Sequence, residues 1–331
     1  MTASGTVRAD LSACRRMRPS RLGDGAGLLF CGDNLAVLRG HLPPGFVDLV
    51  YLDPPFNSGR DYHFMPSSSP AGTGRGVLAF SDIWRWTPAA ARHYQDGAGG
   101  GLPSDAAATL AGFRSILGEG PALAYLTHMA PRIVALHTAL KQTGGLFLHC
   151  DPAMSHYLKI LLDSVFGVRN FCCEIVWKRT SAHNGTRRFG GVHDTIFVYR
   201  RTGAAHWWSP RDGFTRAAQA CACARPAGGP AAAGDVWDDI PPLNGRAAER
   251  LGYPTQKPAA LLTRIISLAT RGGDLLLDPC CGSGTAIDAA QELGRHWIGI
   301  DTSQAAIALV RDRLRRFGAV PYEVRSVGTG G

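Results

Sequence analysis

Four apolar stretches of the chain close on an aspartate: FVDLVYLD ends at Asp53, GLFLHCD at Asp151, DLLLD at Asp278 and WIGID at Asp301. Between and after them run amphipathic patterns of helical period, as in MSHYLKILLDSVFG, TAIDAAQELG and QAAIALVRDRLRRF. Strands alternating with helices give an α/β fold, with a mostly parallel, doubly wound sheet covered on both faces. In such sheets ligands sit outside the carboxyl ends of the strands. Four strands delivering acids to that edge point to one composite crevice. Asp151 and Asp278 equally suit helix capping, since an acid before a helix accepts its free N–H groups. For those two, both readings stand.

The first stretch runs straight into two prolines and an aromatic, as VDLVYLDPPF. Proline cannot donate to a strand ladder, and a buried unpaired carboxylate is costly. Asp53, Pro54, Pro55 and Phe56 therefore read as a site built at a strand end. Later in the chain, LLLDPCCGSGTAID sets Gly282 and Gly284 between a strand and a helix, where glycine lets the backbone approach a ligand closely. Asp301 closes the next strand, and an ionised carboxylate there accepts hydrogen bonds from two ribose hydroxyls. A dinucleotide fingerprint would put a third glycine at Ile287, and a P-loop would follow its last glycine with Lys-Ser/Thr. Neither is present, so the loop suits an adenosine ligand better than a pyrophosphate.

Composition narrows the class further. With 331 residues, 45 % of them apolar, the chain can bury one large α/β core plus a modest insert. A net charge of +9 on only 18 % charged residues favours a polyanionic partner. Nine cysteines without a CxxC read as reduced thiols, and eleven histidines without HExxH give no expectation of a metal. Residues 1–25 read as a loose basic leader lacking a signal-sequence apolar core, and no run approaches membrane-spanning length. The expected division is a first half at 26–202, an insert at 203–250, a second half at 251–317 and a tail at 318–331. Within the first half, the turn-rich stretch 57–120 is expected to be a mobile excursion, and a long helix is expected to run from Pro121 to Gly144–Gly145.

DPPF at 53–56 together with DPCCGSGT at 278–285 resembles the S-adenosylmethionine-dependent DNA amino-methyltransferases. The catalytic motif precedes the cofactor motif, which is the permuted order of that family's β group. CGDNLAVL, GLFLHCDPAMSHYLKILLDSVFG, VHDTIFVY and YPTQKPAALLTRII also look like its members. The resemblance implies a Rossmann-like methyltransferase fold with circularly permuted motif order and a small recognition insert at 203–250. It assigns Asp53, Pro54, Pro55 and Phe56 to catalysis, and Asp278, Pro279, Cys280, Gly282, Gly284 and Thr285 to the cofactor loop. It assigns Asp301 to the ribose, Asp33 to the adenine, and Thr255, Gln256, Lys257 and Pro258 to the segment flanking the methionine moiety. The implied cofactor is S-adenosyl-L-methionine, the partner double-stranded DNA, and the location cytoplasmic and nucleoid-associated. A homodimer and a restriction endonuclease partner are left open. Two departures stand out: Cys280 occupies a place where many relatives carry Phe, and the insert is short for target recognition.

The implied chemistry fits the residues. An exocyclic amine of a base is a poor nucleophile because its lone pair is delocalised into the ring. Asp53 and the Pro54 carbonyl each accept one amino hydrogen, favouring a pyramidal nitrogen in the transition state. Phe56 offers a stacking face to a base taken out of the duplex. Lys178, Arg179, Arg187 and Arg188 in WKRTSAHNGTRRFG, with Arg60 and His63, are the candidate phosphate contacts. Trp207, Trp208 and Trp237 in the insert read more readily as small-core packing than as DNA contacts. In the resembling family Asp at the first motif position commonly accompanies adenine and Ser accompanies N4-cytosine, so the expected product is N6-methyladenine. The alternatives are N4-methylcytosine and an inactive DNA-binding remnant; an oxidoreductase lacks its fingerprint here, and the permuted order argues against RNA or protein substrates.

Overall fold

The structure is a computed structural model that describes residues 27–64, 76–180, 189–204, 234–244 and 247–328. Its strands are β1 (Gly27–Cys31), β2 (Val47–Leu52), β3 (Asp61–Phe64), β4 (Val77–Ser81), β5 (Leu140–Cys150), β6 (Phe171–Lys178), β7 (His193–Arg200), β8 (Val236–Trp237), β9 (Leu275–Asp278), β10 (His296–Asp301) and β11 (Tyr322–Ser326). The helices are α1 (Asn34–Gly40), α2 (Pro88–Asp96), α3 (Ser104–Leu117), α4 (Pro121–Ala139), α5 (Ser155–Phe166), α6 (Ala259–Ala269), α7 (Thr285–Glu292) and α8 (Gln304–Leu314). Except for the β3–β4 hairpin, the described strands join one sheet in the order β11-β1-β10-β9-β2-β5-β7-β6-β8. From β11 to β5 every pairing is parallel, and β7 runs antiparallel between β5 and β6. This is the mostly parallel α/β sheet that the alternating pattern implies.

Helices on both faces explain why the central strands are apolar without alternation. Along β2, Val50 and Leu52 pack with α3, α4 and α5, while Leu49 and Tyr51 pack with α6, α7 and α8. Burying one such leucine contributes about 1.5–3 kcal/mol. The run Leu275–Leu276–Leu277 is buried throughout, which only a strand at the sheet's centre allows.

Strand order is what builds the site. β1, β10, β9, β2 and β5 lie side by side and parallel. Their carboxyl ends therefore present Asp33, Asp301, Asp278, Asp53 and Asp151 in that order along one edge. β9 comes late in the chain but lies between β10 and β2, so the two motifs, distant in sequence, become neighbours.

One expectation changes. Helix α4 stops at Ala139, well before Gly144–Gly145, and the residues beyond it belong to β5. Pairing with β2 overrides the helical pattern: Leu140 lies opposite Val47 and the register then shifts. A Cβ on Gly144 would lie 2.9 Å from the Asp48 carbonyl and 3.0 Å from that of Val47, so the glycine serves the strand irregularity rather than a helix end. In 57–120, expected to be a mobile excursion, the described residues form the β3–β4 hairpin, α2 and α3; residues 65–75 lie outside the described set. Ala106, Leu110 and Phe113, spaced as one helical face, are buried in the main core together with Tyr94 and Leu102. Glycine-rich composition concealed that face.

Of the insert, the described residues add β8 to the sheet's edge beside β6. Trp237 is buried there, its Nε1 donating to the Gly234 carbonyl at 2.9 Å, which is core packing. Trp207 and Trp208 lie outside the described residues. No helix among the described residues is long and apolar enough to cross a membrane.

Candidate active site

A cavity of about 610 Å³ opens along the acid-bearing edge and is walled by both halves of the chain. At one end stands the tetrapeptide. The Asp53 carboxylate accepts from Lys257 Nζ at both oxygens, 2.8 Å at Oδ1 and 2.6 Å at Oδ2. Lys257 is buried, at 9 % exposure, and its ammonium lies 5.2 Å from the Phe56 ring centroid, within cation–π range. The Phe56 ring stacks on His149 at 6.1 Å and 21°. His149 in turn contacts the Tyr51 hydroxyl at 3.1 Å and Asp194 Oδ2 at 3.0 Å, and all three groups are buried. Burial alone raises the Asp194 carboxyl, but the hydrogen bond and charge of His149, with Lys257 and Arg179, outweigh it and hold the group below its ordinary value.

The chain leaving the tetrapeptide is held by Asp82, immediately after β4. Its carboxylate accepts the backbone N–H groups of Phe56 (3.2 Å), Asn57 (2.8 Å) and Ser58 (2.8 Å) and Trp84 Nε1–H (3.0 Å). Asn57 adopts φ +62°, a left-handed conformation that asparagine tolerates better than most residues. Three charge-assisted bonds from Phe56, Asn57 and Ser58 thus fix the direction in which the tetrapeptide faces, and the Trp84 bond holds the carboxylate in place. Asp82 went unnoticed in the sequence, although VLAFSD carries the same signal as the four other stretches.

At the other end, Asp278 is enclosed. Burial pushes its carboxyl well above the ordinary range and the charges of Asp53 and Asp301 add to this, while the Cys280 N–H, 3.2 Å from Oδ1, opposes it. Asp301 is also raised by burial, against the N–H groups of Ser303 (2.8 Å) and Gly282 (2.8 Å) that bond its two oxygens. Gly284 begins α7 at φ +75°, and a Cβ there would lie 2.7 Å from Val310 Cγ2, so only glycine fits. Asp33 caps α1 by accepting the Ala36 N–H at 3.0 Å and pairs with Arg132 of α4. Burial raises its carboxyl, and Arg132 outweighs that and holds it low. Arg132 Nε donates to Asn34 Oδ1 at 2.7 Å, and Asn34 donates to the Pro279 carbonyl at 3.0 Å. One arginine therefore ties α4, α1 and the loop after β9 together. Burial and the charge of Arg132 push the neighbouring His128 imidazole down to about 3, so it faces the cavity neutral. A lone arginine in an apolar helix gave no local sign of this role.

Every expected catalytic and cofactor residue lines this cavity except Pro258 and Gly284, which stand behind its wall at the starts of α6 and α7. The segment Thr255–Pro258 is shaped from within. Gln256 accepts the Leu251 N–H at 2.9 Å and donates to the Glu249 carbonyl at 2.7 Å, and Thr255 takes φ +59°, a strained value for a β-branched residue. Lys257, expected in the segment flanking a methionine moiety, rests its ammonium on Asp53. Arg60, His63 and Lys178 are exposed. Arg179, also exposed, keeps its Nε 2.7 Å from Asp194 Oδ1. Arg187 and Arg188 lie outside the described residues. Asp151 accepts the N–H groups of Ala153 (3.1 Å) and Met154 (3.3 Å) in the turn leading into α5, whose own N-cap, Met154, makes no side-chain cap bond.

The donor set fits the implied cofactor. Each Asp301 oxygen keeps a lone pair for a vicinal diol, and Gly282 and Gly284 put bare backbone beside the loop.

The family model of the DNA methylases N6_N4_Mtase matches residues 47–312, well over half of the chain, and the chain belongs to that family. Over 180 residues it is 32 % identical to the Mod subunit of the type III restriction-modification enzyme StyLTI of Salmonella typhimurium, covering 53 % of this chain and 24 % of that protein. It is 24 % identical over 306 residues to the DNA adenine methyltransferase YhdJ of Escherichia coli K12, covering 89 % of this chain and 85 % of that one. The chain thus spans about a quarter of the first relative's length. Among solved structures, a Thermus thermophilus protein described as a DNA modification methylase, complexed with S-adenosyl-L-methionine, superposes with TM-score 0.54 at 16 % identity, over 92 % of this chain and all of that one. The PvuII DNA methyltransferase, described as cytosine-N4-specific, superposes with TM-score 0.55 at 15 % identity, over 92 % of this chain and 96 % of that one. At these identities the likeness is one of fold.

Proposed function

We propose that the protein transfers a methyl group from S-adenosyl-L-methionine to the N6 amine of adenine in double-stranded DNA. One observation carries the reading: the Asp53 carboxylate and the Asp278–Thr285 loop open into the same cavity. The cofactor supplies a sulfonium methyl for in-line displacement. Asp301 and the Gly282 backbone hold the adenosine end, and Asp33 with Arg132 shapes the adenine end. Asp53 and the Pro54 carbonyl accept the two amino hydrogens of the base, and Phe56 stacks on its ring. The charged acceptor at Asp53 favours adenine over N4-cytosine. The cytosine-N4-specific protein shares this fold, so the fold itself is neutral on the base, and N4-cytosine is the second reading. Arg60, His63, Lys178 and Arg179, all exposed, serve as phosphate contacts. A homodimer and a separate restriction subunit fit the same reading, the latter because the Salmonella relative is itself named as a Mod subunit.

The test has two parts. Calorimetry should show saturable binding of S-adenosylmethionine and its demethylated product, and labelled methyl should enter duplex DNA. Binding of NAD with no response to either sulfur compound would overturn the reading.

A further inference from the structure

We infer that Lys257 is a positioning residue for the methyl-accepting amine, acting through Asp53, and not a ligand of the cofactor. This deepens the function proposed above and rests on it.

The geometry is specific on three counts. The ammonium bonds both Asp53 oxygens, at 2.6 and 2.8 Å, which fixes the rotation of the carboxylate as well as its place. Each carboxylate oxygen offers two acceptor directions, so one on each remains for an amino hydrogen. The same ammonium lies 5.2 Å from the Phe56 ring, so one cation sets the first and last members of the tetrapeptide together. The loop delivering Lys257 is tied by its own residues: Gln256 closes it onto Leu251 and Glu249, and Ala259 N–H donates to Glu249 Oε2 at 2.9 Å. That self-contained loop explains how a lysine side chain with only 10 % of its surface exposed is held in one place.

The electrostatics give the pair a task. The groups facing Asp53 are Tyr51 beside it on β2, Cys150 at the end of β5, Asp278 and Cys280 after β9, and Lys257. Burial keeps the tyrosine and both thiols protonated, so Lys257 is the one cation among these neighbours. An unpaired carboxylate in this enclosed corner would take up a proton, and a protonated Asp53 loses acceptor capacity where the amine needs it. Lys257 gives the Asp53 carboxylate a fixed counter-charge and leaves one acceptor direction on each oxygen for the amine.

A double-mutant cycle reads the pair without any DNA. K257M, D53N and K257M/D53N are unfolded thermally at pH 5 and pH 8. The lone carboxylate in K257M has a folded pKa above its unfolded one, so its stability falls as pH rises. The double mutant should therefore be more stable than K257M at pH 8, with the gap closing at pH 5. If K257M does not fold and the double mutant does, that is the same rescue in stronger form. Equal, additive losses at both pH values would overturn the inference. In the methylation assay, K257M should acquire an acid limb with a rate rising about tenfold per pH unit, K257R should lack it, and cofactor affinity should hold in both. Cofactor affinity falling in parallel with the rate, with the pH profile unmoved, would return Lys257 to the cofactor. A wild-type protein that transfers no methyl to DNA would sink the functional reading alone, since the unfolding cycle still decides the pair.

Discussion

Asp53 and Asp278 end adjacent parallel strands, yet the protein manages their charges in opposite ways. Asp53, on the tetrapeptide side, is matched by the Lys257 ammonium, and the chain beyond it is bound by Asp82 at three donors. Asp278, on the loop side, has the Cys280 N–H and deep burial, and its carboxyl is pushed well above the ordinary range. Asp301 follows the same plan, with two backbone donors and a raised carboxyl. The tetrapeptide side is electrostatically complete as it stands. The loop side has acids that a ligand's own donors would complete. One sequence signal, an apolar strand closing on an acid, thus serves two chemistries, and the partner of each acid tells them apart.

The most severe way to break this contrast is D53A. Removing the acceptor should lower methyl transfer by about 10²–10³-fold or more. Because the cofactor's acids are untouched, calorimetric affinity for S-adenosylmethionine should stay within about threefold of wild type. Near-normal turnover would dissolve the distinction between the two sides. The converse change, D301A, should weaken cofactor binding by roughly ten- to a hundredfold, as expected for hydrogen bonds to a charged acceptor worth about 1.5–3 kcal/mol. Its turnover at saturating cofactor should suffer much less.

D82N sharpens the contrast on the tetrapeptide side. The amide keeps the shape but turns a donor toward backbone N–H groups, which costs about 1–3 kcal/mol of stability and should lower turnover with cofactor affinity preserved. Loss of cofactor affinity in D82N would mean that the two sides are not separately held. The gentlest probe is pH. Asp278 and Asp301 keep protons above the usual carboxylate value of 3.8, so between that value and their raised folded values they cost stability as pH rises. A ligand that donates to them favours the ionised forms. Cofactor binding should release protons and tighten with rising pH through that window, measurable by calorimetry in buffers of different ionisation enthalpy. D278N should remove part of the slope.

How much of this was legible follows from how far each signal reaches. The sheet class was readable because Leu275–Leu277 and FVDLVYLD carry burial on both faces in their own letters. The tetrapeptide, the glycine loop and Asp301 were readable because each is local. Arg132 was not, since its partners Asp33 and Asn34 come from α1, across the fold. The pairing of Lys257 with Asp53 was not readable for the same reason: its carboxylate lies 204 positions away. The end of α4 was misjudged because pairing with β2, a tertiary effect, overrode a good helical period. Helix α3 was hidden by the glycines before it, although Ala106, Leu110 and Phe113 already marked its buried face.

The central claim is that an amine-accepting carboxylate and a methyl-donor pocket share one cavity, with adenine as the base. It is tested most directly by incubating duplex DNA with the protein and isotope-labelled S-adenosylmethionine, then digesting the DNA and measuring its nucleosides by mass spectrometry. The account expects the label in N6-methyladenine, and its disappearance in D53A. Label confined to N4-methylcytosine would contradict the choice of base, and absence of label from both nucleosides would contradict the account itself.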